Sequence, residues 1–363
     1  MRKLFLTAAL LVSVLAGCSK NDEGQSLYKE PDYADFNLKI NLKPNIESPV
    51  YYGTKATGAA HQDGTYEYTI NRLDVFVFNV TSGELDAYKA FTGSQLTSLQ
   101  GLSIKSKTGS KRIYAVANTS EATWNGVVTE TQFLGVQQLL SQDNYEHFVM
   151  SGSTTATITA SCNIPITIQR LVGRVVVNSI RTAFAGTPYA GMALQNVKVY
   201  LTNVNGNVLI GNGNLPASVT VLNARQYVAA DNASLATAGA LYDVVGTVND
   251  SGHTTPHYFY CYQNVLSSET STSKFTRLIV EGTLNGTTYY YPININRENY
   301  GWTSSIDHKG IMRNKSYTYN ITILRPGSLD PDNVVDLAAF TLDVEIADWD
   351  FLPTSNVEFY NIL

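Results

Sequence analysis

The plainest pattern along the chain is alternation. From Phe36 to Lys43 apolar and polar residues take turns without a break, with Phe36, Leu38, Ile40 and Leu42 on one side and Asn37, Lys39, Asn41 and Lys43 on the other. That is the period of a strand with one face in a core. Further strands are predicted over Arg72–Val80 (RLDVFVFNV), Lys111–Asn118 (KRIYAVAN), His147–Ser151 and Ala156–Ile168. Leu171–Ile180 (LVGRVVVNSI) is β-branched and suits a buried strand. The second half repeats the style over Leu194–Thr202, Asn207–Ile210, Tyr258–Gln263, Phe275–Leu284, Thr288–Ile295 and Tyr317–Leu324. Asn285-Gly286 between two of these runs reads as a two-residue type I′ hairpin turn. Thr129–Leu140 is the best short helix, with Phe133, Val136, Leu139 and Leu140 on one face. Pro44–Gly64 has no period and reads as an exposed loop, and Arg181–Ala190 reads as a break between domains. Many short strands with turn residues between them predict an all-β chain built of β-sandwiches.

Composition narrows the function classes. Of 363 residues 15% are charged, against roughly 25% in an ordinary soluble domain, while 44% are hydrophobic and Tyr occurs 23 times. This excludes intrinsic disorder and long solvated helices. A net charge of −5 carries no electrostatic footprint for nucleic acid, and no nucleic-acid partner is expected.

The N-terminus sets the expected compartment. Arg2 and Lys3 precede an apolar run, Leu4–Leu15, of signal-peptide length and too short to span a bilayer. The run ends in Leu15-Ala16-Gly17-Cys18, which resembles a bacterial lipobox. The resemblance implies removal of residues 1–17 and lipidation of Cys18, an anchor in the cell outer membrane. Ser19 argues against inner-membrane retention, and Lys20 followed by Asp22 and Glu23 resembles a Bacteroidetes surface-export signal. Cys162 and Cys261 remain for redox chemistry, as a disulfide or as two buried thiols.

Catalytic and metal chemistry finds little support. His253-Thr254-Thr255-Pro256-His257 has an i, i+4 spacing, but Pro256 opposes a helix and no Glu accompanies the pair, so a surface loop is expected. Asp330/Asp332 and Asp348/Asp350 fall short of a calcium loop and read as turn-flanking acids. No nucleophile elbow or P-loop occurs. The chain reads as a non-enzyme with no catalytic residue, metal or cofactor.

Four features in order carry a family resemblance: the lipobox followed by an alternating strand and a long loop; INRLDVFVFN at Ile70–Asn79 with KRIYAVANTS at Lys111–Ser120; QRLVGRVVV at Gln169–Val177; and FYCYQN at Phe259–Asn264, MRNKSYTYNITI at Met312–Ile323 and VEIADW at Val344–Trp349. Together they resemble the Bacteroidales fimbrillins, the subunits of FimA-type (type V) pili. The resemblance implies two Ig-like or transthyretin-like β-sandwich domains, an exchangeable N-terminal strand, a C-terminal donor-strand extension and polymerisation on the cell surface. It also implies that a trypsin-like protease cuts the loop after the first strand. Apart from His61, Lys55 is the one basic residue in Pro44–Gly64, so the cut is assigned there; the family's usual residue is Arg.

The sequence offers its own reason for exchange. Phe36, Leu38, Ile40 and Leu42 are matched near the C-terminus by Phe340, Leu342, Val344 and Ile346, again alternating and again beginning with Phe and Leu. Losing the first segment would leave an apolar groove with unpaired backbone, which a neighbour's C-terminal strand can fill by β-augmentation. Such a head-to-tail contact does not close and builds a filament. The final run, with Val357 and Phe359, is also strand-like, so residues 339–363 are assigned as the donor region with neither half preferred. Trp349 matches the family's tail anchor. The expected organisation is a signal peptide (1–17), a lipidated tether with the removable strand (18–55), an N-terminal sandwich (56–181), a C-terminal sandwich (182–338) and the donor region (339–363). The expected function is a structural fimbrial subunit supporting adhesion, with neighbouring copies, accessory tip or anchor subunits and the processing protease as partners. The alternative is a tip, accessory or anchor subunit acting as an adhesin.

Overall fold

The computed structural model describes residues 32–42, 67, 69–237, 239–297, 309–333 and 339–348. The first group of elements is β1 (Tyr33–Leu42), β2 (Arg72–Asn79), β3 (Leu85–Thr92), β4 (Gln100–Lys107), β5 (Gly109–Ala117), helix α1 (Glu130–Leu134), β6 (Gln137–Leu139), β7 (Met150–Ile158) and β8 (Asn163–Arg170). The sheet order is β3-β2-β5-β7-β8-β1-β4. β7 and β8 pair only at Met150–Arg170 and Ser151–Gln169. Close approach there is possible because residue 152 is Gly: a Cβ would overlap the carbonyl oxygen of Thr167. One core joins β1, β8 and β4 to the inner faces of β2 and β5, through Leu38, Ile166, Ile104, Val75 and Ala115 among others.

β2 is buried on both faces, in keeping with its consecutive apolar run from Val75 to Phe78. Its second face carries Phe76 and Phe78, which meet Trp124, Tyr114 and Phe133 with ring centroids 4.7 Å (Phe76–Trp124) and 4.5 Å (Tyr114–Phe133) apart. Phe133 is delivered by α1, which is shorter than the predicted Thr129–Leu140. Thr129 and Gln132 form a capping box, Gly135 ends the helix, and residues 137–139 turn into β6 to pair with a strand of the second domain. That pairing overrides a weak helical period and leaves Leu139 40% exposed.

The second group comprises β9 (Val172–Thr182), β10 (Leu194–Thr202), β11 (Val204–Asn205), β12 (Asn207–Leu209), β13 (Val221–Leu222), β14 (Tyr242–Val248), β15 (His257–Tyr262), β16 (Asn264–Val265), β17 (Arg277–Leu284), β18 (Thr287–Asn294), β19 (Gly310–Ile311), β20 (Lys315–Ile323) and β21 (Phe340–Asp348). Two four-stranded sheets, β14-β10-β17-β18 and β15-β9-β20-β21, enclose a core that includes Val199, Val280, Val175, Phe259 and Tyr319. β9 pairs with β15 and β20, so the change of sheet falls at Leu171. The β17–β18 hairpin has the predicted turn, with Asn285 and Gly286 at φ 49° and 80°.

Asp143 ties the two groups together. Its buried carboxylate accepts the Tyr262 hydroxyl at 3.1 Å and the N–H groups of Val149 and Asn144, both at 3.2 Å. Burial pushes its pKa up to about 7 despite these donors. Because the folded value lies above the unfolded one, the folded state holds the extra proton, and stability falls as pH rises from about 4 to about 7. Asp143→Asn keeps an acceptor and carries no charge. It should flatten that decline and leave the variant more stable than the parent at pH 8, by an amount on the order of 4 kcal/mol at most. Urea unfolding of both chains at pH 5 and pH 8 measures this; an equal pH slope would contradict it.

Candidate functional site

β1 lies between two strands. It runs antiparallel to β4, with Phe36 opposite Ile104 and Leu38 opposite Leu102, and parallel to β8, with Leu38 opposite Ile164 and Leu42 opposite Ile168. Among the described strands β4 has no other ladder partner, so β1 alone joins it to the sheet. Strands stand roughly 4.8 Å apart, so taking β1 away would leave a lane about 10 Å across between β4 and β8. Phe36, Leu38, Ile40 and Leu42 fill that lane at 0–3% exposure, as their alternation predicts. Ile70, Leu73, Phe91, Leu99 and Met150 belong to the same core.

The backbone seat is complete on both sides. The Asn37 N–H donates to the Cys162 carbonyl and the Ile40 N–H to the Leu99 carbonyl, each at 2.9 Å. The Gln100 side-chain amide donates to the Ile40 carbonyl at 3.1 Å. The register with β4 shifts between Leu38 and Lys39, where Gly101 forms a bulge at φ 92° that a residue with a side chain rarely adopts. Glu67 is also fixed. Glu67 accepts the Tyr260 hydroxyl at 2.8 Å and Arg174 Nη1 at 3.0 Å, and its carbonyl accepts Arg170 Nε at 2.7 Å. Nothing in the local sequence marks Glu67, since its partners lie on β8, β9 and β15.

The matching C-terminal residues have a seat of their own. β21 pairs antiparallel with β20 from Phe340 opposite Ile323 to Asp348 opposite Lys315, at the edge of its sheet. Phe340 is buried and Leu342, Val344 and Ile346 are half-buried against the second core, while Thr341, Asp343 and Glu345 face outward. The likeness of the two segments thus corresponds to two strands on two different sandwiches, and the fold does not bring them together. Cys18, Lys55, Trp349, Val357 and Phe359 lie outside the described residues.

Cys162 and Cys261 are free thiols, one packed beside the β1 slot and the other wholly buried in the second core. Burial pushes the Cys261 thiol up to about 12. Asp332 is taken by Arg277 at 2.7 Å and Asp330 by the Asp332 N–H at 2.8 Å, so this carboxylate pair serves the fold. Among the described residues no group of three or more His, Cys, Asp or Glu is arranged around a metal ion.

The slot lies within a stretch that is similar to a known family. Residues 37–169, from within β1 to the end of β8, match the model of the major fimbrial subunit protein FimA. Fim1C of Parabacteroides distasonis, assigned as a fimbrium tip subunit, is 25% identical over 292 residues, 72% of each chain. A Porphyromonas gingivalis fimbrilin (FimA) structure superposes with a TM-score of 0.55 at 14% identity, over 88% of this chain and 98% of that one. A cell-adhesion protein structure from Bacteroides eggerthii reaches 0.61 at 19% identity, over 90% and 98%. At these identities the structural likeness speaks for the fold, and the sequence match speaks for the N-terminal sandwich. Residues 37–169 are thus similar to the FimA major fimbrial subunit family, and the chain has the fold of the Bacteroidales fimbrillins.

Proposed function

We propose that this chain is a structural subunit of a cell-surface fimbria: exported as a lipoprotein on Cys18, cut after Lys55, and polymerised when the C-terminal segment of a neighbour takes the place of β1. The observation that supports it is the seat of β1. A strand from the N-terminal end of the chain occupies an interior lane, and β4 depends on it alone among the described strands for its place in the sheet. Glu67, between Lys55 and β2 in sequence, is pinned to β8, β9 and β15, so a cut after Lys55 would free β1 without loosening β2. The reading needs no catalytic residue, metal or cofactor; its partners are further subunits, the processing protease and, before the cut, the outer membrane.

The test is the N-terminal residue of protein sheared from cells, read by mass spectrometry. Ala56 is expected, and filaments built of chains that begin at lipidated Cys18 would overturn the reading. Lys55→Ala should stop processing; continued cleavage at the same bond would reject Lys55. A second reading, a tip or accessory subunit acting as an adhesin, is favoured by the assignment of Fim1C to a fimbrium tip. Immunogold label along the shaft supports the stalk reading, and label confined to filament ends supports the tip.

A further inference from the structure

The histidine pair set aside as a loop feature is placed otherwise by the fold. His257 is the first residue of β15 and is only 6% exposed. Its Nδ1 lies 2.7 Å from Asp243 Oδ2, on β14. β14 and β15 belong to opposite sheets of the second sandwich, so this contact bridges them. His253 precedes β15 and is fastened to β9 by its backbone: its N–H donates to the Ile180 carbonyl at 2.7 Å, and its carbonyl accepts from the Ile180 N–H at 2.9 Å. Its ring is half-buried and therefore reachable from solvent. The two Nε2 atoms face each other at 3.0 Å.

The tautomers follow from the acceptors. An ionised carboxylate only accepts, so Asp243 requires the proton of His257 on Nδ1. The Nε2 of neutral His257 then presents a lone pair toward His253. Something positive must stand between the two nitrogens, either a proton of His253 or a metal ion. The surroundings match a metal site. Zinc–nitrogen bonds of about 2.0–2.1 Å at a near-tetrahedral angle place two nitrogens about 3.3 Å apart, a small opening from 3.0 Å. A ligating His usually gives its other N–H to a carboxylate, which fixes ring and tautomer. Both rings start from anchored backbone.

We propose that His253 and His257 form a two-imidazole site for a divalent transition-metal ion such as Zn2+ or Cu2+, with Asp243 positioning His257, and that the bound ion reinforces the junction of β14, β15 and β9. Imidazole ligands select these ions over Mg2+ and Ca2+, which take oxygen. Asp243 is engaged with the other nitrogen of His257, and among the described residues no group of three or more His, Cys, Asp or Glu is arranged to hold an ion, so water would complete the coordination sphere.

The test uses the untagged full chain, freed of metal with a chelator. Zn2+ titration by calorimetry should give one ion per chain, and binding should raise the melting temperature. Cu2+ should give an electron paramagnetic resonance spectrum with coupling to two imidazole nitrogens. His253→Ala, at a half-exposed position, should lower Zn2+ affinity at least tenfold with an unchanged circular dichroism spectrum; His253→Gln serves the same purpose should Ala disturb the fold. Asp243→Asn should weaken binding by about 10–100-fold. No binding at millimolar Zn2+ would leave only a shared proton between the rings and overturn the proposal. Unchanged affinity in both His253 variants, or a copper spectrum lacking two imidazole nitrogens, would overturn it equally.

Discussion

A chain carrying Asn37→Cys and Ser103→Cys, on a Cys162→Ser background, should be cut at the loop normally and yet form no filaments until a reductant is added. The site for the lock follows from the ladder. The Asn37 N–H points to β8, where it donates to the Cys162 carbonyl. The N–H and C=O of one residue point to the same side of a strand, so the facing pair Asn37–Ser103 on β4 is not hydrogen-bonded. Such pairs in antiparallel sheets bring Cα atoms to about 4.5 Å, inside the roughly 4.4–6.8 Å range of disulfides. Asn37 is half-buried and Ser103 exposed, both off the inner face, so the bridge leaves the core intact. Filament yield, scored as an SDS-resistant ladder, should fall at least about 100-fold when oxidised and recover on reduction. A full ladder from the oxidised, fully bridged chain would show that β1 does not have to leave.

The same geometry explains why a cut would matter. Burial of Phe36, Leu38, Ile40 and Leu42 is worth very roughly 6–12 kcal/mol before ordering costs, and cleavage does not alter those contacts. It alters the concentration of the competitor. While the chain is covalently intact, a β1 that left its slot would compete for it as an intramolecular ligand, at an effective concentration that reaches about millimolar for linked partners. On the proposed reading, a β1 that leaves after the cut would be diluted, and a donor built into a neighbouring subunit would win by mass action.

Much of the β1 slot was legible in the sequence and its partners were not. The alternation from Phe36 to Leu42 gave both the strand and its buried face, because half-burial in a sheet imposes a period of two. The doubly buried β2 and the Asn285-Gly286 hairpin were legible for the same local reasons. β3 and β4 escaped notice because their inward residues are few and mixed with Lys, Ser and Gly, as suits strands at the ends of a sheet. β14, also an edge strand, carries exposed Val244 and a bulge around Gly246. Pairing is the larger gap. That β1 lies parallel to β8 is a contact between distant segments with no local mark, and so are the hold on Glu67 and the meeting of His257 with Asp243. The helix over Thr129–Leu140 failed at Gly135, where a cross-domain strand pair outweighed a short amphipathic run.

Truncation after Asp348 should abolish polymerisation while leaving the monomer folded, and this separates the two halves of the donor region. β21 is paired along its whole length with β20, and Phe340 is 2% exposed. To enter a neighbour's slot it would have to surrender that ladder and uncover Phe340, whose loss from a core costs about 3–5 kcal/mol. A donor drawn from residues 349–363 would leave the ladder of β21 in place, and Val357 and Phe359 alternate as a slot requires. Removing residues 349–363 should therefore stop filament growth and shift the urea midpoint far less than removing residues 339–363, which also strips β21 from its sheet. Val357→Asp with Phe359→Asp should reproduce the shorter truncation, because a charge buried in the lane between β4 and β8 would have no partner. Filaments that persist without residues 349–363 but vanish without 339–363 would transfer the donor role to Phe340, Leu342, Val344 and Ile346, and would mean that β21 leaves its own sandwich when the polymer forms.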